Sequence, residues 1–241
     1  MKVQYLGDVN DYRKYALLRL LAGSGLKIGI NWLLTADDGR PDGNKRSYLS
    51  QREKWQTYDP DLFDMLAEVP PVPTPHDLRE IERQGVIPGA VYLDLPVPRG
   101  LAAREGFHAA SMQAFGDCNL VFFDPDNGLA PASVSKARSA GVKFVFDDEL
   151  ASHFEAGRSL LVYQHFPRVE RTDFMTRLGS RLRAFASQAD IWACHTSHVV
   201  FMLVANPSQL TTQSEVVSAA IDDGRSRWPD TFIKFVHLDT A

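Results

Sequence analysis

Hydrophobic and polar positions alternate along the chain between two periods. Tyr15, Leu18, Leu21 and Ala22 recur at helical spacing behind Asn10 or Asp11, either of which can cap a helix, and Gly23 and Gly25 stop it. Residues 27–35 (KIGINWLLT) then read as a buried strand. The stretch 37–60 is polar and carries Gly39, Pro41 and Gly43, so it predicts a long loop, followed by a short helix over 61–67. Pro70, Pro71, Pro73 and Pro75 form a stiff connector into a helix over 77–84.

From there apolar runs short enough for strands alternate with helical patterns. Strands are expected at 90–95, 119–123, 142–146, 159–163, 191–194, 199–205 and 232–236. Helices are expected at 101–115, 148–156, 170–187 and 210–223. The run Asn-Leu-Val-Phe-Phe at 119–123 is apolar at almost every position, as a strand covered on both faces must be. The alternation predicts an α/β fold, a three-layer sandwich around a mainly parallel sheet. The join between Cys194 and Val199 is too tight for a crossover helix. It implies an antiparallel pair at one edge near the C-terminus. The 241 residues suit one domain, 1–241, with a loop or small helical excursion at about 37–88. Two domains divided at the proline connector are the alternative.

Composition changes this picture little. Hydrophobic residues make up 44% and charged residues 23%, an ordinary globular balance, and the net charge of −4 offers no global attraction for polyanions. Nucleic acid would have to be held by local patches: Arg168, Arg171, Arg177, Arg181 and Arg183 around one helix, or Arg13, Lys14 and Arg19 in the first. The two cysteines, Cys118 and Cys194, are no disulfide framework and no zinc-ligand pattern. The N-terminal residues lack an apolar signal core, and the longest apolar run, 199–205, is too short to span a bilayer. A cytoplasmic protein without membrane partners is expected.

In open α/β sheets ligands bind beyond the carboxyl ends of the strands, so residues just after each strand are the candidates. They include Thr35, Asp37, Asp38, Asp94, Asp124, Asp126, Asn127, Asp147, Asp148, Glu149, Gln164, His165, His195 and His198. The sharpest element is Asp124-Pro125-Asp126-Asn127-Gly128. An apolar strand delivers a carboxylate, proline stiffens the turn, and glycine permits a left-handed backbone. It also reads as a plain strand-ending turn. Asp147-Asp148-Glu149 suits a helix N-terminus, yet with Asp124 and Asp126 it could also form a magnesium or manganese site with His165 as base. No P-loop, G-x-G-x-x-G or G-x-S-x-G pattern is present.

Three features resemble Rossmann-like S-adenosylmethionine-dependent methyltransferases, nearest the ribosomal RNA adenine-N6 methyltransferases. Residues 7–15 (GDVNDYRKY) are similar to a family segment with a glycine, an aspartate and a lysine that opens a helix beside the cofactor. Residues 122–127 (FFDPDN) look like the Asp-Pro-Pro-Tyr motif. The order strand, helix, two close strands, Asn206-Pro207, helix and last strand follows the family's C-terminal order. The resemblance implies S-adenosylmethionine as cofactor, with Gly7, Asp8, Lys14, Thr35, Asp37 and Asp94 on its side. It implies a catalytic set of Asp124, Pro125, Asp126, Asn127 and His165. Asp124 would accept a hydrogen bond from the amino group of a nucleic-acid base, and Pro125 would aim its carbonyl at that group. The chain departs from the family in two places. Thr35-Ala36-Asp37-Asp38-Gly39 stands where the family has a glycine-rich turn, and Asn127 stands where it has an aromatic. Two other readings remain beside it: a metal-dependent nuclease or phosphohydrolase using Asp124, Asp126, Asp147 and Asp148, and a non-catalytic binding module on the same scaffold.

Overall fold

A computed structural model describes residues 1–36, 45–207 and 212–238. Asp37 and Asp38, and the first residues of the helix expected from 210, lie outside them. The elements run α1 (Val9–Gly23), β1 (Ile28–Asn31), α2 (Arg52–Trp55), α3 (Pro60–Ala67), α4 (Pro75–Arg83), β2 (Val91–Leu93), α5 (Leu101–Ala114) and β3 (Leu120–Phe123). They continue with α6 (Asp147–Glu155), β4 (Ser159–His165), α7 (Arg171–Arg183), β5 (Asp190–His195), β6 (Val199–Ala205), α8 (Thr212–Arg227) and β7 (Lys234–His237).

The seven strands form one sheet in the order β2-β1-β3-β4-β6-β5-β7. The first four are parallel. Strand β6 then enters antiparallel between β4 and β5, and β7 closes the edge antiparallel to β5. The antiparallel part is therefore larger than the edge pair the sequence predicts: β6 is internal, and all seven of its residues are buried. That explains its unbroken apolar run.

Side chains alternate between two cores, as the period of a strand demands. Leu120, Phe122, Leu161, Phe201 and Leu203 face a layer holding α1, α3, α4 and α8. Val121, Phe123, Leu160, Val162 and Met202 face a layer holding α5, α6 and α7. The excursion after β1 thus shares the first core through Leu62, Phe63, Leu66, Leu78 and Ile81. The chain leaves β1 on this face but leaves β3, its parallel neighbour, on the other. This divergence opens a crevice at the carboxyl ends of β1 and β3.

One expected strand does not form. Residues 142–146 begin inside a 3-10 turn at Ser139–Lys143 and make only a single bridge, Leu129 to Val145. Helix α1 is buried from Asp11 to Leu21 except at the half-buried Arg19, with Asp11, Arg13 and Lys14 among the buried residues. It has no free basic face: the Arg13 guanidinium lies 5.2 Å from the Trp55 ring and donates to the Thr231 carbonyl, and Arg19 pairs with Asp59 at 2.7 Å.

Candidate functional site

Asp8, not Asn10 or Asp11, caps α1. Its carboxylate accepts from the backbone N–H of Asn10 (2.7 Å) and Asp11 (2.9 Å). The helix precedes β1 through a short turn and packs against the sheet, so its N-terminus returns to the carboxyl edge. Lys14 there reaches Asp124, 110 residues later, at 2.8 Å. The same ammonium lies 2.5 Å from Asp11. Burial works against the Lys14 charge, but Asp11 and Asp124 outweigh it and raise its pKa. Burial raises the Asp11 carboxyl to about 7 against the pull of Lys14.

The loop after β3 is pinned on both sides. Asp126 accepts from the Thr35 hydroxyl at 2.5 Å and faces the Met1 amino group at 3.4 Å. That amino group donates to the carbonyl oxygens of Trp32 (2.8 Å), Leu33 (2.9 Å) and Asp124 (2.5 Å). Leu33 is left-handed (φ +47°), the one non-glycine residue among those described with positive φ. Gly128 is also left-handed (φ +84°) and leaves room for Gln164, whose carbonyl oxygen accepts from the Leu129 N–H at 2.8 Å. The Gln164 amide nitrogen in turn donates to the carbonyls of His165 (2.9 Å) and Asn127 (3.5 Å).

Around these groups opens a cavity of about 360 Å³ lined by Met1, Tyr5, Asp8, Asn10, Asp11, Lys14, Lys45, Asp124, Pro125, Asp126, Tyr163 and His165. Its size falls within the range of small-molecule sites. Four carboxylates (Asp8, Asp11, Asp124, Asp126) face the Met1 amine, Lys14 and, on an exposed residue, Lys45, so the wall leans acidic. His165 presents its ring edge-on to Tyr163, and burial lowers its pKa against the pull of Asp124.

The structure thus brings Asp8, Lys14, Asp124, Pro125, Asp126 and His165 to one cavity. Gly7 and Thr35 lie directly behind it, through Gly7 N–H to Asp11 (3.1 Å) and Thr35 to Asp126. Other expected residues are elsewhere. Asp94 follows the edge strand β2 and faces Arg79 at 3.5 Å. Asn127 is exposed, outside the lining, with its N–H donated to the Lys143 carbonyl.

Nor does the proposed metal set assemble. With no strand at 142–146, Asp147 opens α6 and takes both oxygens to Arg181 Nε at 2.9 Å. Asp148 pairs with Lys136. Glu149 pairs with the buried Arg104 at 2.7 Å. Among the described residues no group of three or more His, Cys, Asp or Glu stands together as metal ligands do. Of the arginines near α7, Arg181 is engaged by Asp147 and Arg183 by the Leu238 carbonyl. Arg168 and Arg171 line a separate open cavity beyond His165, together with Phe166, Val169 and His198.

Sequence reasoning missed Asp11 as a cavity group. Asp11 carried a signal, its i,i+3 relation to Lys14. Cys118 and Cys194 are free and buried. No described helix is long and apolar enough to cross a membrane. No family model, curated protein or solved structure matches the chain.

Proposed function

We propose that this is an S-adenosylmethionine-dependent methyltransferase-like enzyme on a Rossmann-like fold, acting on an amino group of a nucleic-acid base. One observation carries the reading. Asp124-Pro125-Asp126, at the carboxyl end of β3, meets the head of α1 in one cavity at the point where the chain leaves β1 and β3 on opposite faces. The order of β4, α7, β5, β6, α8 and β7 supports it as well.

The donor set fits the cofactor. S-adenosylmethionine carries a sulfonium and an α-ammonium, and it would supply a methyl group to the acceptor nitrogen. An acid-rich wall suits such cations. Asp8, Asp11 and Asp126 would hold it. Lys14 fixes the Asp124 carboxylate through Oδ2. Asp124 would accept the N–H of the target amino group and orient its lone pair, a positioning role. Arg168 and Arg171 in the neighbouring cavity, with the exposed Lys45 of this one, would meet the backbone phosphates.

The test is transfer of labelled methyl from S-adenosylmethionine to single-stranded RNA and DNA oligonucleotides. Transfer by the wild type that falls about 100-fold in folded Asp124→Asn would support the reading, as loss of a positioning and electrostatic group does. Absence of transfer to either nucleic acid, with intact binding of oligonucleotide, would favour the non-catalytic binding module.

A further inference from the structure

We infer that the Tyr163 hydroxyl is a ligand-contacting hydrogen-bond donor, which meets a neutral acceptor atom beside an amino group held by the cavity's carboxylates. The inference rests on the proposed function and names the face of the substrate that the cavity reads.

Tyr163 is 9% exposed, in the middle of the sheet, and lines the cavity. Its ring is fixed edge-on between Phe201 of the neighbouring strand (centroids 5.4 Å apart) and His165 (4.9 Å). The hydroxyl makes no hydrogen bond to any described residue. Buried phenols nearly always find a partner. Tyr12 donates to the Trp55 carbonyl at 2.8 Å and Tyr48 to that of Gly7 at 3.1 Å. Tyr15 also lacks a partner, but its oxygen is sealed inside the protein and it lines none of the described cavities. Tyr163, by contrast, lines the cavity, with its ring held between two others.

Burial and the charges of Asp124, Asp8 and Asp11 raise the phenol well above its ordinary pKa, so it keeps its proton and donates. The same carboxylates repel an anionic acceptor such as a phosphate. A ligand that satisfies both sets needs a neutral acceptor next to an N–H donor. The amidine edge of adenine or cytosine has that pairing, an exocyclic amino group beside an unprotonated ring nitrogen. Uracil presents a carbonyl and an N–H in its place.

The experiment compares wild type with Tyr163→Phe, which keeps the ring and its packing. Binding of adenosine, cytidine and uridine is measured by titration calorimetry, S-adenosylhomocysteine is titrated in parallel, and the Tm is recorded for both proteins. Adenosine or cytidine is expected to bind in preference to uridine, and Tyr163→Phe to weaken that binding about two- to tenfold, the worth of one hydrogen bond. Its Tm should be unchanged or higher, because no protein partner is lost. A lowered Tm would overturn the inference by revealing such a partner. Equal affinity in the variant, or equal binding of uridine, would overturn it as well. Binding of S-adenosylhomocysteine without either aminated nucleoside would overturn the inference and leave the proposed function standing. Failure of all four ligands would overturn both.

Discussion

Replacing Gly128 with alanine tests how the loop that carries Asp124 and Asp126 is held. Gly128 has φ +84°, and a Cβ built there would overlap the carboxamide of Gln164. A left-handed backbone costs an L-residue roughly 1–2 kcal/mol. Displacing Gln164 would strip the buried Leu129 N–H of its acceptor, at about 1–3 kcal/mol. The total is about 2–5 kcal/mol, which for a chain of this length lowers Tm by roughly 4–20 °C. Gly25→Ala is the control: its φ is +93°, but nothing lies within 4 Å of its Cβ, so only the backbone cost applies. Urea unfolding followed by tryptophan fluorescence gives both values. Gly128→Ala should lose clearly more stability than Gly25→Ala, and the gap should shrink in a Gln164→Ala background. Equal losses at the two glycines would refute the reasoning, because the carboxamide would then not be holding the loop.

Lys14→Met should destabilise by about 3–5 kcal/mol in the same assay, since it leaves Asp11 and Asp124 buried without their shared cation. Asp11 is raised to about 7, so its ionisation costs stability as pH climbs from the unfolded value through about 7. The Tm of Asp11→Asn relative to wild type should therefore rise between pH 5 and pH 8. His153 behaves in the opposite sense. Burial and then Arg158 lower it to about 3, so below pH 6.5 the unfolded chain takes a proton that the native state refuses. Stability should fall by about 1.4 kcal/mol for each pH unit toward 3, and His153→Gln should flatten that slope in thermal melts. Gly29→Ala places a Cβ 2.5 Å from the buried Phe115 ring and should cost about 1–3 kcal/mol.

The strands that lie under two helical layers were the most legible part of the sequence. Leu120–Phe123 and Val199–Ala205 are apolar at every position, and both form. Their order in the sheet was not legible, because a tight turn between β5 and β6 is equally compatible with an edge pair and with insertion of β6 beside β4. The segment 142–146 has strand composition, but a 3-10 turn takes its first two residues and α6 follows directly, so only Val145 bridges a neighbour. In residues 8–11 three side chains can cap a helix. Asp8 does so because Asp11 is drawn to Lys14 and the Gly7 N–H. The basic residues of α1 read as a surface group by spacing alone. The sequence could not show that Arg13 and Lys14 are buried, so Arg13 turns to an aromatic ring and Lys14 to carboxylates. The Lys14–Asp124 pair, which brings the two motifs together, depends on the return of α1 to the strand ends, and no local pattern encodes it.

The most direct test of the central claim is thermal unfolding with S-adenosylhomocysteine, for wild type and for Asp126→Asn. Ligand at a hundredfold excess over its dissociation constant adds about 2.7 kcal/mol, or roughly 5–11 °C for a chain of this size. A shift of that order in the wild type, reduced in Asp126→Asn at the same ligand concentration, is the predicted result. An unshifted wild type at millimolar ligand, or an identical shift in the two proteins, would contradict the claim that this acid-walled cavity receives the cofactor.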